Sequence, residues 1–298
     1  VASAPVSRAQ LLPPLSSPLE LASAPHAYYI PAGAHAPGAF GSQWRLDMLL
    51  RNSAPIGTPP ADIVLYAHPR GQAASPSDPS YAFAMPSGAS IWIPDVLGVI
   101  SSDPLAAWVE VRSTSTLSIN EAYMHNLAST GDKTGSALPV FNAATLDSDQ
   151  RLLREGDRVE FVLLGAARNA RENNIIWNAP TSCAAVATPI LVDQLGNEIA
   201  VGAPIQIPSG AYVQQTVDEA VGATVSLGHV LRTTIRCEQG STTPLQAWNG
   251  VTQINTLNPQ YQDSIVLQGT KYPLLDAASF TTLPSAGEVN DTFYNNTI

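Results

Sequence analysis

The sequence predicts an all-β protein: two tandem immunoglobulin-like β-sandwich domains with extended N- and C-terminal arms. Three observations predict it. The 25 Pro and 20 Gly are spread along the chain, and between them lie short runs rich in Val, Ile, Leu, Thr, Trp and Tyr, the pattern of many short strands joined by turns. Helical periodicity is weak everywhere, and the best helical candidate, Asp147 to Arg154, is a polar stretch of about two turns. Short motifs also recur, in order, in the two halves of the chain. A length of 298 residues leaves room for two domains of ordinary size.

Residues 1–25 read as an extended N-terminal arm. Pro5, Pro13, Pro14, Pro18 and Pro25 forbid a helix and leave few backbone donors for a central strand. Leu11, Leu15, Leu19 and Leu21 all fall on odd positions, so an extended chain puts them on one face. Either the arm is a strap on its own domain or it docks on another copy, pairing with it around Pro18 to Ala24.

The first β-sandwich domain is expected over 26–142. In Trp44 to Leu50 the even residues Trp44, Leu46, Met48 and Leu50 point to a core, and Arg45 and Asp47 share the outer face as a structural ion pair. Further strands are expected at Ile63–Ala67, Tyr81–Met85, Ser90–Ile93, Ala107–Arg112 and Leu117–Tyr123, with turns such as Pro86-Ser87-Gly88 between them. A linker, 143–155, leads to the second β-sandwich domain, 156–268. Its strands are expected at Val159–Leu164, Asn174–Trp177, Ser182–Val192, Ile199–Ile207, Tyr212–Val217, Val230–Glu238, Leu245–Asn249 and Ser264–Leu267. A C-terminal tail, 269–298, closes the chain. The duplication rests on three matches: Pro86-Ser87-Gly88-Ala89 with Pro208-Ser209-Gly210-Ala211, Leu65 to Gly71 with Leu191 to Gly196, and Leu50 to Pro55 with Ile176 to Pro180.

Charge and motifs narrow the function classes. With 14 Lys+Arg against 24 Asp+Glu, a net charge of −10 and 13% charged residues, the chain is neither disordered nor built to neutralise nucleic-acid phosphates. No apolar run is long enough for a membrane span. HExxH, paired CxxC, GxSxG and phosphate-cradling glycine loops are absent, so catalytic, cofactor-binding and metal residues are all read as none, and the chain as no enzyme. His35 and His68 read as surface or satisfied histidines in turn-rich positions. Asp147, Asp149, Glu155 and Asp157 crowd the linker without the ligand order of an EF-hand, which favours a solvated polar segment. Trp92, Trp108 and Trp248 are the aromatics that would stack on sugars, but burial in alternating strands explains Trp92 and Trp108 more simply.

Low charge, two lysines (Lys133 and Lys271) and a start at Val1 without Met suit a mature secreted chain at the cell surface. In that compartment Cys183 and Cys237 are expected to pair as a disulfide. Asn290 and Asn295 head the chain's Asn-x-Thr triplets and are the possible sites of covalent glycans.

The segment Trp44-Arg45-Leu46-Asp47-Met48-Leu49-Leu50-Arg51-Asn52 resembles one common in secreted bacterial proteins of unassigned function, where it reads Trp-Arg-Thr-Asp-Leu, an apolar pair and Asn. Here Leu46 replaces the Thr and Met48 the Leu. The preceding Ile30 to Gly38 resembles that family's leading strand and loop. The resemblance covers roughly 28–142, with a weaker echo in the second half. It implies extracellular tandem β-sandwiches and carries no catalytic residues. The layout of an arm and two sandwiches is also similar to subunits of extracellular fibres that polymerise by strand donation. The expected function is therefore a structural subunit of an extracellular filament or surface assembly, a homopolymer joined head to tail through its N-terminal arm. The alternative is a secreted adhesin or carbohydrate-binding module.

Overall fold

The computed structural model describes residues 24–38, 41–127, 133–165, 170–255, 264–267 and 269–272. Strands make up 53% of it and helices 8%, which makes the fold all-β. In the N-terminal half the strands are β1 (His26–Ile30), β2 (Ala34–Pro37), β3 (Gln43–Asn52), β4 (Ala61–Pro69), β5 (Ser80–Met85), β6 (Ser90–Ile93), β7 (Leu105–Ser113), β8 (Leu117–Leu127), β9 (Lys133–Ala137) and β10 (Phe141–Asn142), with helix α1 (Val96–Ile100) before β7. The C-terminal half holds β11 (Arg158–Val162), β12 (Ala170–Asn178), β13 (Ala185–Val192), β14 (Glu198–Val201), β15 (Ile205–Ile207), β16 (Tyr212–Thr216), β17 (Val230–Cys237), β18 (Ala247–Asn255), β19 (Ser264–Leu267) and β20 (Thr270–Tyr272), with helix α2 (Val217–Val221) before β17.

The strands stack in layers. Layer I is β6-β3-β8-β9, and layer II is β5-β4-β7-β1-β10. Strand β2 joins them by pairing with β7 at one end and β3 at the other. Layer III is β16-β12-β18-β19, and layer IV is β13-β17-β11-β20 with β14 and β15 on its β13 edge. The alternation of each strand decides which core its residues enter. Trp44, Leu46, Met48 and Leu50 of layer I meet Ile63, Leu65 and Val109 of layer II in one core. Ile176 and Val251 of layer III meet Phe161, Leu191, Leu231 and Ile235 of layer IV in another. Residues one position away on β1, β7 and β12 point the opposite way, so Tyr29, Trp108, Ile175 and Trp177 fill a third cluster between layers II and III. Layers II and III are therefore buried on both faces, which suits the unbroken apolar runs Ala27 to Ile30 and Ile175 to Trp177.

The halves share one strand order, with β3, β4, β6, α1, β7 and β8 matched by β12, β13, β16, α2, β17 and β18. The recurring sequence motifs explain part of this. Asn52 and Asn178 are fully buried. Asn52 donates its backbone N–H to Ala89 O (3.0 Å) and its Nδ2 to Met85 O (3.0 Å). Asn178 does the same to Ala211 O (2.9 Å) and Ile207 O (3.1 Å). Both Pro-Ser-Gly-Ala turns put their glycine at positive φ, 72° at Gly88 and 68° at Gly210, where a side chain would be strained.

Several expectations need correction. Asp147 to Arg154 is not a helix; a 3-10 segment runs over Ala143–Ser148, capped by Asn142 Oδ1 accepting from Ala144 N (3.0 Å), and turns follow. The connector 143–155 is not simply solvated either, because Leu146, Leu152 and Leu153 are buried. The run Ile199–Ile207 breaks into β14 and β15: Gly202 sits against the Ala220 carbonyl, leaving no room for a Cβ, and its N–H goes to Pro189 O (2.9 Å). Pro189 falls in the gap between the partners of β14 and β15, so its missing N–H breaks no ladder bond there. Residues 270–272, read as tail, form β20 beside β11. The leucines Leu11, Leu15, Leu19 and Leu21 lie outside the described residues, as do Asn290 and Asn295.

Candidate functional site

The joint between the halves is built on aromatic rings. Trp108 and Trp177 are fully buried, with Tyr29 3% exposed. Tyr29 meets Trp108 edge-on with ring centroids 5.7 Å apart, and Phe141 stacks on Trp177 at 5.4 Å. Such contacts add to the area they bury. Polar bonds fix the register. Trp108 Nε1 donates to Gly210 O (2.9 Å) across the joint. The β4–β5 connector adds Gly71 N to Tyr212 O (2.8 Å) and Ala74 N to Gly210 O (3.0 Å). The second half's Pro-Ser-Gly-Ala turn is thus the seat on which the first half's connector rests.

That connector is tied down by a chain of polar side chains. His68, at the end of β4, is 2% exposed. Its Nδ1 lies 2.7 Å from Asp78 Oδ2 and its Nε2 3.1 Å from Glu110 Oε2. Arg112 Nε donates to the other Glu110 oxygen at 2.7 Å, and Ser75 N donates to Asp78 Oδ2 at 2.8 Å. Each ring nitrogen thus faces a carboxylate oxygen. Tyr66 stacks on the ring from one side and Trp108 lies 4.2 Å from its centroid. Burial pushes the Tyr29 phenol up to about 12, with the Glu110 charge adding to it; the same causes raise Tyr66. A cleft of about 170 Å³ opens here, lined by Tyr66, His68, Ser75, Glu110, Arg112 and Pro180 among others. Both His68 nitrogens are engaged by carboxylates and Ser75 Oγ lies 2.8 Å from Ser77 Oγ. The ring therefore has no nitrogen left to draw a proton from a nucleophile, and the chemistry of the cluster is that of a latch.

The other singled-out residues fall elsewhere. Arg45 and Asp47 share the outer face of β3, but the ion pair is Arg45 Nε to Asp95 Oδ2 (3.0 Å). Asp47 is instead 1% exposed, accepts from Asp95 N (2.9 Å) and lies 3.2 Å from His125 Nε2. His35 Nδ1 lies 2.7 Å from the same Asp95 Oδ2. The linker acids do not converge. Asp147 accepts from Gln246 Nε2, Asp149 pairs with Arg151, Glu155 accepts from Cys237 N and Asp157 pairs with Lys271. Among the described residues no group of His, Cys, Asp and Glu could hold a metal ion. Trp108 and Trp248 are buried, while Trp92 is 41% exposed. Cys183 and Cys237 form a disulfide with Cα atoms 5.6 Å apart, placed where Ala185 pairs with Cys237 across β13 and β17.

The ends of the stack differ from its middle. Among the described residues the exposed large hydrophobics gather on layer IV and its loops: Val162, Leu164, Leu195, Ile199, Val201, Leu227 and Tyr272. Ile56 and Trp92, at the layer I end, complete the set. On the outer face of layer IV, the buried Val192, the half-buried Val230 and the exposed Val162 share one cross-strand row; in the next, Val201 and Ile190 continue into Arg232 and Glu160, which pair at 2.8 Å. The joint and these end faces were missed in the sequence. Buried and interface aromatics look alike there, and the one usable signal was the unbroken apolar runs of β1 and β12. No family model, curated protein or solved structure matches the chain.

Proposed function

We propose that this chain is a structural subunit of an extracellular filament or surface assembly, polymerising head to tail through residues 1–25. The observation that carries the reading is the molecule's polarity. A stack with a sealed aromatic joint ends in two unlike faces, and the layer IV end exposes Val162, Ile199, Val201 and Tyr272 beside its Arg158–Glu160–Arg232 ion pairs. Contacts between unlike faces are heterologous, and where their rotation does not close into a ring they generate fibres. The two halves are immunoglobulin-like sandwiches over 26–142 and 156–268 in this reading, supported by their common strand order. A disulfide in the structure supports an oxidising, extracytoplasmic location. Residues Leu11, Leu15, Leu19 and Leu21 supply the apolar face of the arm, and Asn290 and Asn295 carry glycans, which intact mass tests. Electron microscopy of the full chain and of a variant lacking 1–22 tests the assembly: regular filaments are expected from the first and none from the second. Filaments of the same axial repeat from both would remove the arm as connector. A carbohydrate-binding reading keeps Trp92 as its exposed aromatic, and binding on a glycan array that is lost in Trp92→Ala would favour it.

A further inference from the structure

The joint between layers II and III has a counterpart at the ends of the molecule. Layer IV matches layer II, and layer I matches layer III, in strand order. The residue matches follow from the shared registers. Leu65 pairs with Val111, which pairs with Tyr28; Leu191 pairs with Leu231, which pairs with Phe161. The next residue along β1 is Tyr29, part of the joint, and the next along β11 is Val162, 67% exposed. On the other side, alignment of Asn52 with Asn178 sets Leu49 of layer I at the place of Ile175, a joint residue of layer III.

The connectors match as well. The β4–β5 connector, which seats its Ala74 over Gly210, corresponds to the β13–β14 turn, where Leu195 is 88% exposed. The turn at Gly210 corresponds to the turn at Gly88, over which Ile56 lies, 91% exposed. The two most exposed large hydrophobics among the described residues thus occupy the two sides of a joint that the chain makes once internally. A second copy that repeated the contact would cover both side chains.

We infer that a second copy of this chain docks its layer I face and Ile56 against the layer IV face and Leu195 of the first, repeating between molecules the contact that joins layers II and III within one. The inference rests on the filament reading and names the interface that the arm would reinforce. This interface is smaller and wetter than the internal joint. At the places of Trp177, Tyr212 and Trp248, layer I carries Arg51, Ser90 and Ser118, and at those of Ala27 and Trp108 layer IV carries Glu160 and Gly228, so the apolar contact centres on Leu49 and Trp92 against Val162, with Arg51 and Glu160 at its edge. The step is heterologous, and each added copy presents the same free face again.

Mixed single-cysteine variants test it. Ile56→Cys and Leu195→Cys are purified separately, mixed, and treated with a short bismaleimide; the native cysteines are held in their disulfide, and a bridge forms only between molecules. A 56–195 bridge is expected, identified by peptide mass and absent when Thr145→Cys on the side of the stack replaces Ile56→Cys. Leu195→Asp and Val162→Asp, both at exposed positions, are expected to keep the wild-type melting profile and to lower sedimentable polymer at least about tenfold, the effect of roughly one weakened contact per step. Filaments that form with bridges elsewhere, or that tolerate both aspartates, overturn this interface and leave the arm-linked filament standing. A chain that stays monomeric at every concentration, arm intact, overturns both.

Discussion

Asn52 and Asn178 each use a single amide to hold a strand end and the turn that follows. Asn178 Nδ2 faces the carbonyls of Cys183 (2.7 Å), Ile207 (3.1 Å) and Pro208 (3.2 Å). Asn52 Oδ1 accepts from Ala54 N at 3.1 Å. Truncating either to Ala leaves buried carbonyls without their donor, so each variant should lose about 1–3 kcal/mol in denaturant unfolding. A loss within error would mean that the paired turns hold without their asparagines. Tyr29 gives a different residue-scale test, in alkali. Its phenol, ordinarily near 10.0, is pushed up to about 12 by burial and then by the Glu110 charge. Below pH 10 both folded and unfolded chains keep the proton, and this tyrosine adds no pH dependence. As pH rises from 10 towards about 12 the unfolded phenol ionises first, so stability falls by about 1.4 kcal/mol for each unit. Stability curves of Tyr29→Phe should be flatter than wild type in that window, and coincident curves would exclude the assignment.

At the scale of elements, the disulfide and the alternating strands carry the clearest lesson. Cys183 and Cys237 close a loop of 54 residues, and the double variant Cys183→Ala/Cys237→Ala should lose about 4 kcal/mol on the chain-entropy estimate. A loss below about 1 kcal/mol would show that the β13–β17 ladder already confines the unfolded loop. The strands were legible because alternation reports burial directly: in β17, Leu231, Thr233 and Ile235 are buried while Arg232 and Arg236 face out. The helices were not legible. Each of α1 and α2 is five residues long, too short for periodicity, and the capping box of Thr216 and Glu219 is a signal that turns share. The break between β14 and β15 was hidden for another reason: it is imposed by the Ala220 carbonyl packed on Gly202, a contact that no local pattern announces. Asp47 shows the same limit. Its place on the outer face was readable, but its burial beside His125 comes from elements distant in sequence.

For the whole molecule, the strand order common to the two halves was foreshadowed by the Pro-Ser-Gly-Ala turns, yet the joint that unites the halves was not, because Trp108 and Trp177 carry no mark that separates a core ring from an interface ring. What the structure adds is that the halves do not fold around separate interiors alone. Ile254 of β18 enters the first core, and Val266 of β19 packs against both that core and the joint. Such sharing couples the halves, since opening the joint exposes Tyr29, Trp108, Phe141, Trp177 and Tyr212 together. The full chain should therefore unfold in one transition, with tryptophan fluorescence and far-ultraviolet circular dichroism coincident. Trp177→Ala removes the ring that touches Tyr29, Trp108 and Phe141. Its direct cost should be about 3–5 kcal/mol, as for other buried aromatic truncations. Its second effect is specific to the joint: each half keeps its own core, so the single transition should separate into two, the fluorescence of the remaining rings moving before the strand signal is lost. A Trp177→Phe variant, which keeps a ring against Phe141, should restore most of the coincidence. Two transitions already present in the unaltered chain would show that the joint does not couple the halves. A single transition in Trp177→Ala, shifted but coincident, would place the coupling in β18 and β19 instead of in the aromatic seam.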